Sequence, residues 1–133
     1  MVEYARNVLG WSDADHAESA PDATRAVIAP LACGLLNSAG DIRLLEGTRL
    51  AAAYRATQIR EEYLCSYGVN PEFTAALVAG PLHLAAVDTA GDIRGVELDG
   101  HPFYVATLFQ PERAALRGEH AAIATAFVEA CSL

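Results

Sequence analysis

The stretch His101-Pro102-Phe103-Tyr104-Val105-Ala106-Thr107-Leu108-Phe109-Gln110-Pro111-Glu112 runs an apolar strand into a polar corner. Phe103 to Phe109 is rich in aromatic and β-branched residues, which suits a pleated, half-buried surface. Gln110-Pro111 ends it, because proline donates no ladder hydrogen bond and restricts the residue before it.

Working back from this corner, Leu82 to Val87 and Ile93 to Leu98 read as a hairpin across Asp88-Thr89-Ala90-Gly91-Asp92. A helix from about Glu72 to Val78 precedes it, with Pro71 in its first turn and Gly80-Pro81 after it. Ile59 to Tyr67 and Ile42 to Glu46 read as strands, and Thr48 to Ala56 as helix. Arg25 to Pro30 holds a short buried strand, while the small residues from Leu31 to Gly40 leave the reading open. Residues 11–24 are polar and read as loop. The chain starts with a helix at residues 2–9, whose apolar face is Val2, Ala5, Val8 and Leu9, stopped by Gly10. It closes with a helix from Ala121 to Ala130 whose predicted inward face is Ile123, Phe127 and Val128. Strands alternating with helices argue for an α/β architecture.

Composition narrows the function classes. A chain of 133 residues forms one domain, 1–133, long enough to bury a core. Every basic residue is arginine, and the net charge of −8 repels nucleic acid and anionic membranes. No apolar run approaches the ~20 residues that span a bilayer. No basic segment followed by an apolar stretch marks a leader at the N-terminus. Cys33, Cys65 and Cys131 are odd in number and widely spaced, with no CxxC pair, which fits reduced thiols in a cytoplasmic protein. Cys33 and Cys131, among small apolar residues, are expected in the core. Gly91 and Gly95 form no phosphate loop, and no His/Asp/Glu cluster has metal spacing, so no cofactor or metal is expected. His16, His83, His101 and His120 are read as structural or solvated residues.

The corner resembles the end of the class I glutamine amidotransferase (glutaminase) domain of CTP synthase, which there reads Phe-His-Pro-Glu. Three further segments match in order. Tyr4-Ala5-Arg6-Asn7-Val8-Leu9-Gly10 is similar to the helix after the family's nucleophile elbow. His16-Ala17-Glu18 is similar to a Ser-Ala-Glu-like element, and Tyr67, Val69, Asn70 and Pro71 to Tyr-Glu-Val-Asn-Pro. Nearly the whole chain is covered. The resemblance is closest to the stand-alone CTP synthase C-terminal region-related (seleno)proteins.

The resemblance implies an α/β, flavodoxin-like three-layer fold with a mixed sheet. It also implies that only the C-terminal portion is present, without the early strands and the elbow cysteine. Val8, Val27, Ile28, Val105 and Phe109 would then lack packing partners, and open strand edges favour self-association.

It implies a site as well. In the family the His and Glu of the corner complete a Cys-His-Glu triad, so the catalytic positions here are Gln110, which cannot titrate, and Glu112. Glu112 is expected either to keep a place in the cleft or to accept hydrogen bonds from backbone or Arg113. The family's Ser-Ala-Glu carboxylate binds glutamine, which makes Glu18 a substrate-binding residue. Ser66 stands where an arginine clamps the glutamine carboxylate. None of the three cysteines lies in a Gly-x-Cys-x-Gly context. Cys65, in the segment that borders the family's cleft, is either an inert thiol or a new redox or nucleophilic centre; no basic residue adjoins it in sequence to activate it. Alternation along a strand means that Cys65 and Ser66 cannot both face the cleft. The expected function is a CTP synthase-related domain without glutaminase activity, with glutamine or a related small molecule as ligand. The alternatives are an enzyme of altered amide or thiol chemistry in a longer chain, and a ligand- or partner-binding module.

Overall fold

A computed structural model describes residues 1–132. The elements run α1 (Val2–Asn7), β1 (Ala14–His16), β2 (Arg25–Leu44), α2 (Arg49–Tyr54), β3 (Gln58–Val69), α3 (Pro71–Leu77), β4 (Leu82–Asp88), β5 (Ile93–Leu98), β6 (Val105–Thr107), α4 (Glu112–Leu116) and α5 (Ala122–Cys131). Six strands form one mixed sheet in the order β1-β2-β4-β5-β6, with β3 also paired to β2. β1 runs parallel to β2, and every other pairing is antiparallel.

The helix ends follow from local chemistry. Thr48 Oγ1 accepts from the Ala51 amide at 3.1 Å and starts α2. The buried Glu97 carboxylate reaches the same end from β5, accepting from the Arg49 and Leu50 amides at 3.0 and 2.7 Å. Asn70 Oδ1 accepts from the Glu72 amide at 3.1 Å, and Pro71 occupies the first turn of α3, where its missing N–H costs nothing. The Asn70 side chain also donates to the Ala26 carbonyl at 2.9 Å and ties the end of β3 to β2.

Two apolar clusters flank the sheet. One gathers Tyr4 and Ala5 of α1, Leu77 of α3, and Val27, Leu82, Ile93 and Val96. The other gathers Leu50 of α2 with Ile42, Leu44, Tyr63, Ala86 and Phe109, and Ile123 of α5 packs against it. β4 feeds Leu82 and Leu84 to the first and Ala85 and Ala86 to the second, as strand alternation with a bulge dictates.

Several expectations are corrected. The segment expected to be loop contains β1, fixed by parallel pairing of Ala14 and Asp15 with Arg25 and Ala26. The two early strands are one 20-residue strand, whose small residues sit at register shifts between Pro30 and Leu35 and between Leu36 and Ser38. The last strand is only Val105–Thr107, and α4 follows the corner. Phe127 and Val128 are exposed rather than inward. Ala122, Ala126 and Ala130, at a spacing of four, form the shielded side of α5 instead. Cys33 and Cys131 are exposed, not core. Val27 and Phe109, expected to lack partners, are buried, whereas Val8 is 52% exposed.

Candidate functional site

A cleft of about 870 Å³ opens between α1, the segment after β1, β3 and the β5–β6 hairpin. That volume lies in the range of small-molecule sites. Ile28, Val69, Ile93, Val96 and Ala106 supply apolar lining, and His16, Glu18, Cys65, Ser66 and Thr107 supply polar groups.

The β1 side is built by a tight turn. The Ser19 and Ala20 amides donate to the His16 carbonyl, and the Glu18 amide donates to His16 Nδ1 at 3.1 Å. The imidazole packs against Tyr67 with ring centroids 5.0 Å apart. His16 is therefore half buried rather than solvated. Glu18 is exposed at the rim.

On β3 the odd-numbered residues Glu61 and Tyr63 are buried and Cys65 half buried, while Leu64 and Ser66 are exposed. Cys65 Sγ lies 3.8 Å from the Leu108 carbonyl. Burial pushes its thiol pKa up, and the Arg94 guanidinium only partly opposes this. Arg94 is itself buried and committed to Asp88 at 2.7 Å and Asp92 at 3.5 Å. It is the only arginine among the described residues that lines the cleft.

The corner leaves the cleft. The Leu108 amide donates to the Arg94 carbonyl of β5, but the Gln110 amide donates to the Glu62 carbonyl of β3, both at 2.9 Å. The chain thus changes partner strand at this point. Gln110 Oε1 accepts from Arg113 Nε at 2.8 Å, and Arg113 Nη1 pairs with Glu62 at 3.1 Å. Arg117 pairs with Glu62 too, and with Glu119 at 2.8 Å. Arg113 therefore serves Gln110 and Glu62. Glu112 is exposed at the start of α4, on the wall of a second hollow. The structure brings Glu18, Cys65 and Ser66 to the lining of one cleft, against the expectation that strand alternation would exclude one of the two neighbours, because consecutive residues 64–69 of β3 all border it; Gln110 and Glu112 lie outside the lining.

Sequence reasoning missed His16 as a cleft residue, Thr107, and the pairing of Glu62 with Arg113 and Arg117. The i, i+4 spacing of the two arginines signalled a shared face; their partner on a distant strand had no local signal. Among the described residues no group of three or more His, Cys, Asp or Glu side chains is gathered as a metal site. No described helix is long and apolar enough to cross a membrane.

No family model matches the chain. Curated relatives do. A CTP synthase of Aeropyrum pernix is 36% identical over 123 residues, covering 84% of this chain and 23% of the relative. A CTP synthase of Methanosphaerula palustris is 34% identical over 138 residues, covering 98% of this chain and 26% of the relative. The chain belongs with the CTP synthase glutaminase domains. It spans about a quarter of the length of these curated relatives. The fold agrees: the glutaminase domain of Trypanosoma brucei CTPS with bound acivicin superposes with a TM-score of 0.85 at 23% identity, covering 98% of this chain and 55% of that one. A putative GMP synthase protein of Thermoplasma acidophilum gives 0.60 at 13% identity, covering 79% of this chain and 48% of that one. The mixed α/β sheet expected from the resemblance is thus the CTP synthase glutaminase fold.

Proposed function

We propose that this chain is a CTP synthase-related amidotransferase-like domain that does not hydrolyse glutamine by itself. The observation that carries the reading is Gln110. It stands at the family's histidine position, cannot act as a general base, and is held by Arg113 rather than turned toward a thiol. The cleft chemistry supports the same reading. Ser66 replaces the arginine clamp, and Arg94 is already neutralised by Asp88 and Asp92. None of the three thiols within these 133 residues lies in an elbow context. Loss of one member of such a triad costs ~10³-fold or more. Glutamine or a related small molecule remains the ligand that Glu18 suits best, and the three free cysteines fit a cytoplasmic setting. A coupled glutamate assay tests the proposal: release stays at the buffer rate, and turnover that disappears in Glu112→Ala overturns it.

A second reading, thiol chemistry at Cys65 in a longer native chain, is favoured by one observation. Cys65 lines the same cleft as Glu18. Its raised pKa weighs against it, because the thiolate is the reactive form.

A further inference from the structure

A second hollow, separate from the cleft, lies between the segment entering β6, the start of α4 and the outer side of α5. Its volume is about 500 Å³. Phe103, Tyr104, Val105, Ile123 and Phe127 line it, and Glu112 is its one charged residue among the described residues. Phe103 and Phe127 meet edge to face with ring centroids 5.6 Å apart, yet Phe127 remains 50% exposed. Among the described residues Glu112 has neither an ion pair nor a side-chain hydrogen bond. The two arginines nearest to it in sequence, Arg113 and Arg117, are engaged by Glu62, Gln110 and Glu119.

We infer that this hollow binds a small organic cation, an alkyl- or aryl-ammonium compound, whose charge sits between Glu112 and the aromatic walls. The argument is complementarity. Aromatic faces attract cations that hydrogen-bond weakly, and a carboxylate beside them adds a full opposite charge. The lining carries no cation to repel such a guest or to hold an anion. A neutral apolar guest would draw nothing from the charge of Glu112, and an anion would be repelled. The volume suits a ligand of roughly ten to fifteen heavy atoms. This inference does not rest on the fate of the glutaminase site, because Glu112 acts here without a histidine.

The test uses the full chain and benzyltrimethylammonium chloride, titrated by heteronuclear NMR against its neutral isostere neopentylbenzene and against phenylacetate. The cation is expected to saturate, moving the amides of residues 103–105 and 121–127. The neutral isostere and the anion should bind at least about fivefold more weakly. Glu112→Gln, at an exposed position, should weaken the cation at least about threefold while the melt stays unchanged, and Phe127→Leu should weaken it by a similar factor. Equal affinity for the isostere overturns the inference, as does unaltered binding to Glu112→Gln. So does the absence of saturation at ten-millimolar cation, or a second copy of the chain occupying the hollow.

Discussion

Gln110 Oε1 accepts a hydrogen bond from Arg113 Nε at 2.8 Å, three residues further on, and Arg113 also reaches Glu62 on β3 at 3.1 Å. Gln110 thus serves as an acceptor that steadies an arginine. The corner is tied to β3 twice, by this side-chain relay and by the Gln110 amide on the Glu62 carbonyl.

Gln110→His is therefore expected to be silent in catalysis and mildly harmful to stability. On the proposed reading none of the three thiols within these 133 residues has a nucleophile's sequence context, so glutamate release should remain at the buffer rate. Arg113 Nε loses its oxygen acceptor, which costs about 1 kcal/mol in urea unfolding. A measurable glutaminase rate in this single variant means that one of the three thiols acts as nucleophile, and Cys65 is then the first to mutate.

The three thiols should separate by exposure. Cys33 and Cys131 are exposed, whereas Cys65 is half buried with its pKa raised by burial. Iodoacetamide at neutral pH, followed by peptide mass spectrometry, should label Cys33 and Cys131 before Cys65. Cys65 labelling first would favour the thiol-chemistry reading over the inactive one.

Much of the fold was legible because several elements carry their own signals. Asn70-Pro71 marks the end of β3 and the start of α3, and the Asp88–Asp92 turn sets the β4–β5 hairpin. The length of β2 was not legible. Gly34, Asn37 and Gly40 look like breaks, but register shifts against β3 absorb the first two, with Asn37 at φ 47°, and Gly40 pairs regularly with Glu61. In α5 Ile123 packs inward as expected, whereas Phe127 and Val128 are exposed and Ala122, Ala126 and Ala130 are the shielded positions. Glu18, Cys65 and Ser66, singled out by family pattern, line one cleft. The role of Arg113 was hidden, because it depends on Glu62, 51 residues away.

Glu61 offers a pH test with a definite sign. Its carboxyl is buried and accepts from the Tyr54 hydroxyl at 2.7 Å. Burial is the largest influence and raises its pKa above 4.5, outweighing the hydrogen bond from Tyr54 and the charge of Arg117. The folded state therefore holds this proton more tightly than the unfolded chain does. The contribution to stability is complete below the unfolded pKa and is lost as pH rises through the folded value. Glu61→Gln keeps an acceptor for Tyr54 and removes the titration. The variant should gain on the parent in urea unfolding as pH rises from about 4 to 7. A difference that is flat with pH refutes the assignment.

The last expectation concerns Leu36 and Leu64, which are cross-strand partners on β2 and β3. They are 58% and 45% exposed, so together they present an apolar pair to solvent. Burying a large aliphatic side chain gains ~1.5–3 kcal/mol, and net stability is only ~5–15 kcal/mol. Val8, Leu116 and Val128 add further exposed apolar surface. The chain is therefore expected to self-associate at micromolar concentration in light scattering. Leu36→Arg with Leu64→Glu tests the pair while sparing the strands, because opposite charges are favourable across an antiparallel pair. The double variant should scatter as a smaller species with an unchanged far-ultraviolet spectrum. A monodisperse monomer before any substitution, with a cooperative melt, would show that the exposed leucines need no cover.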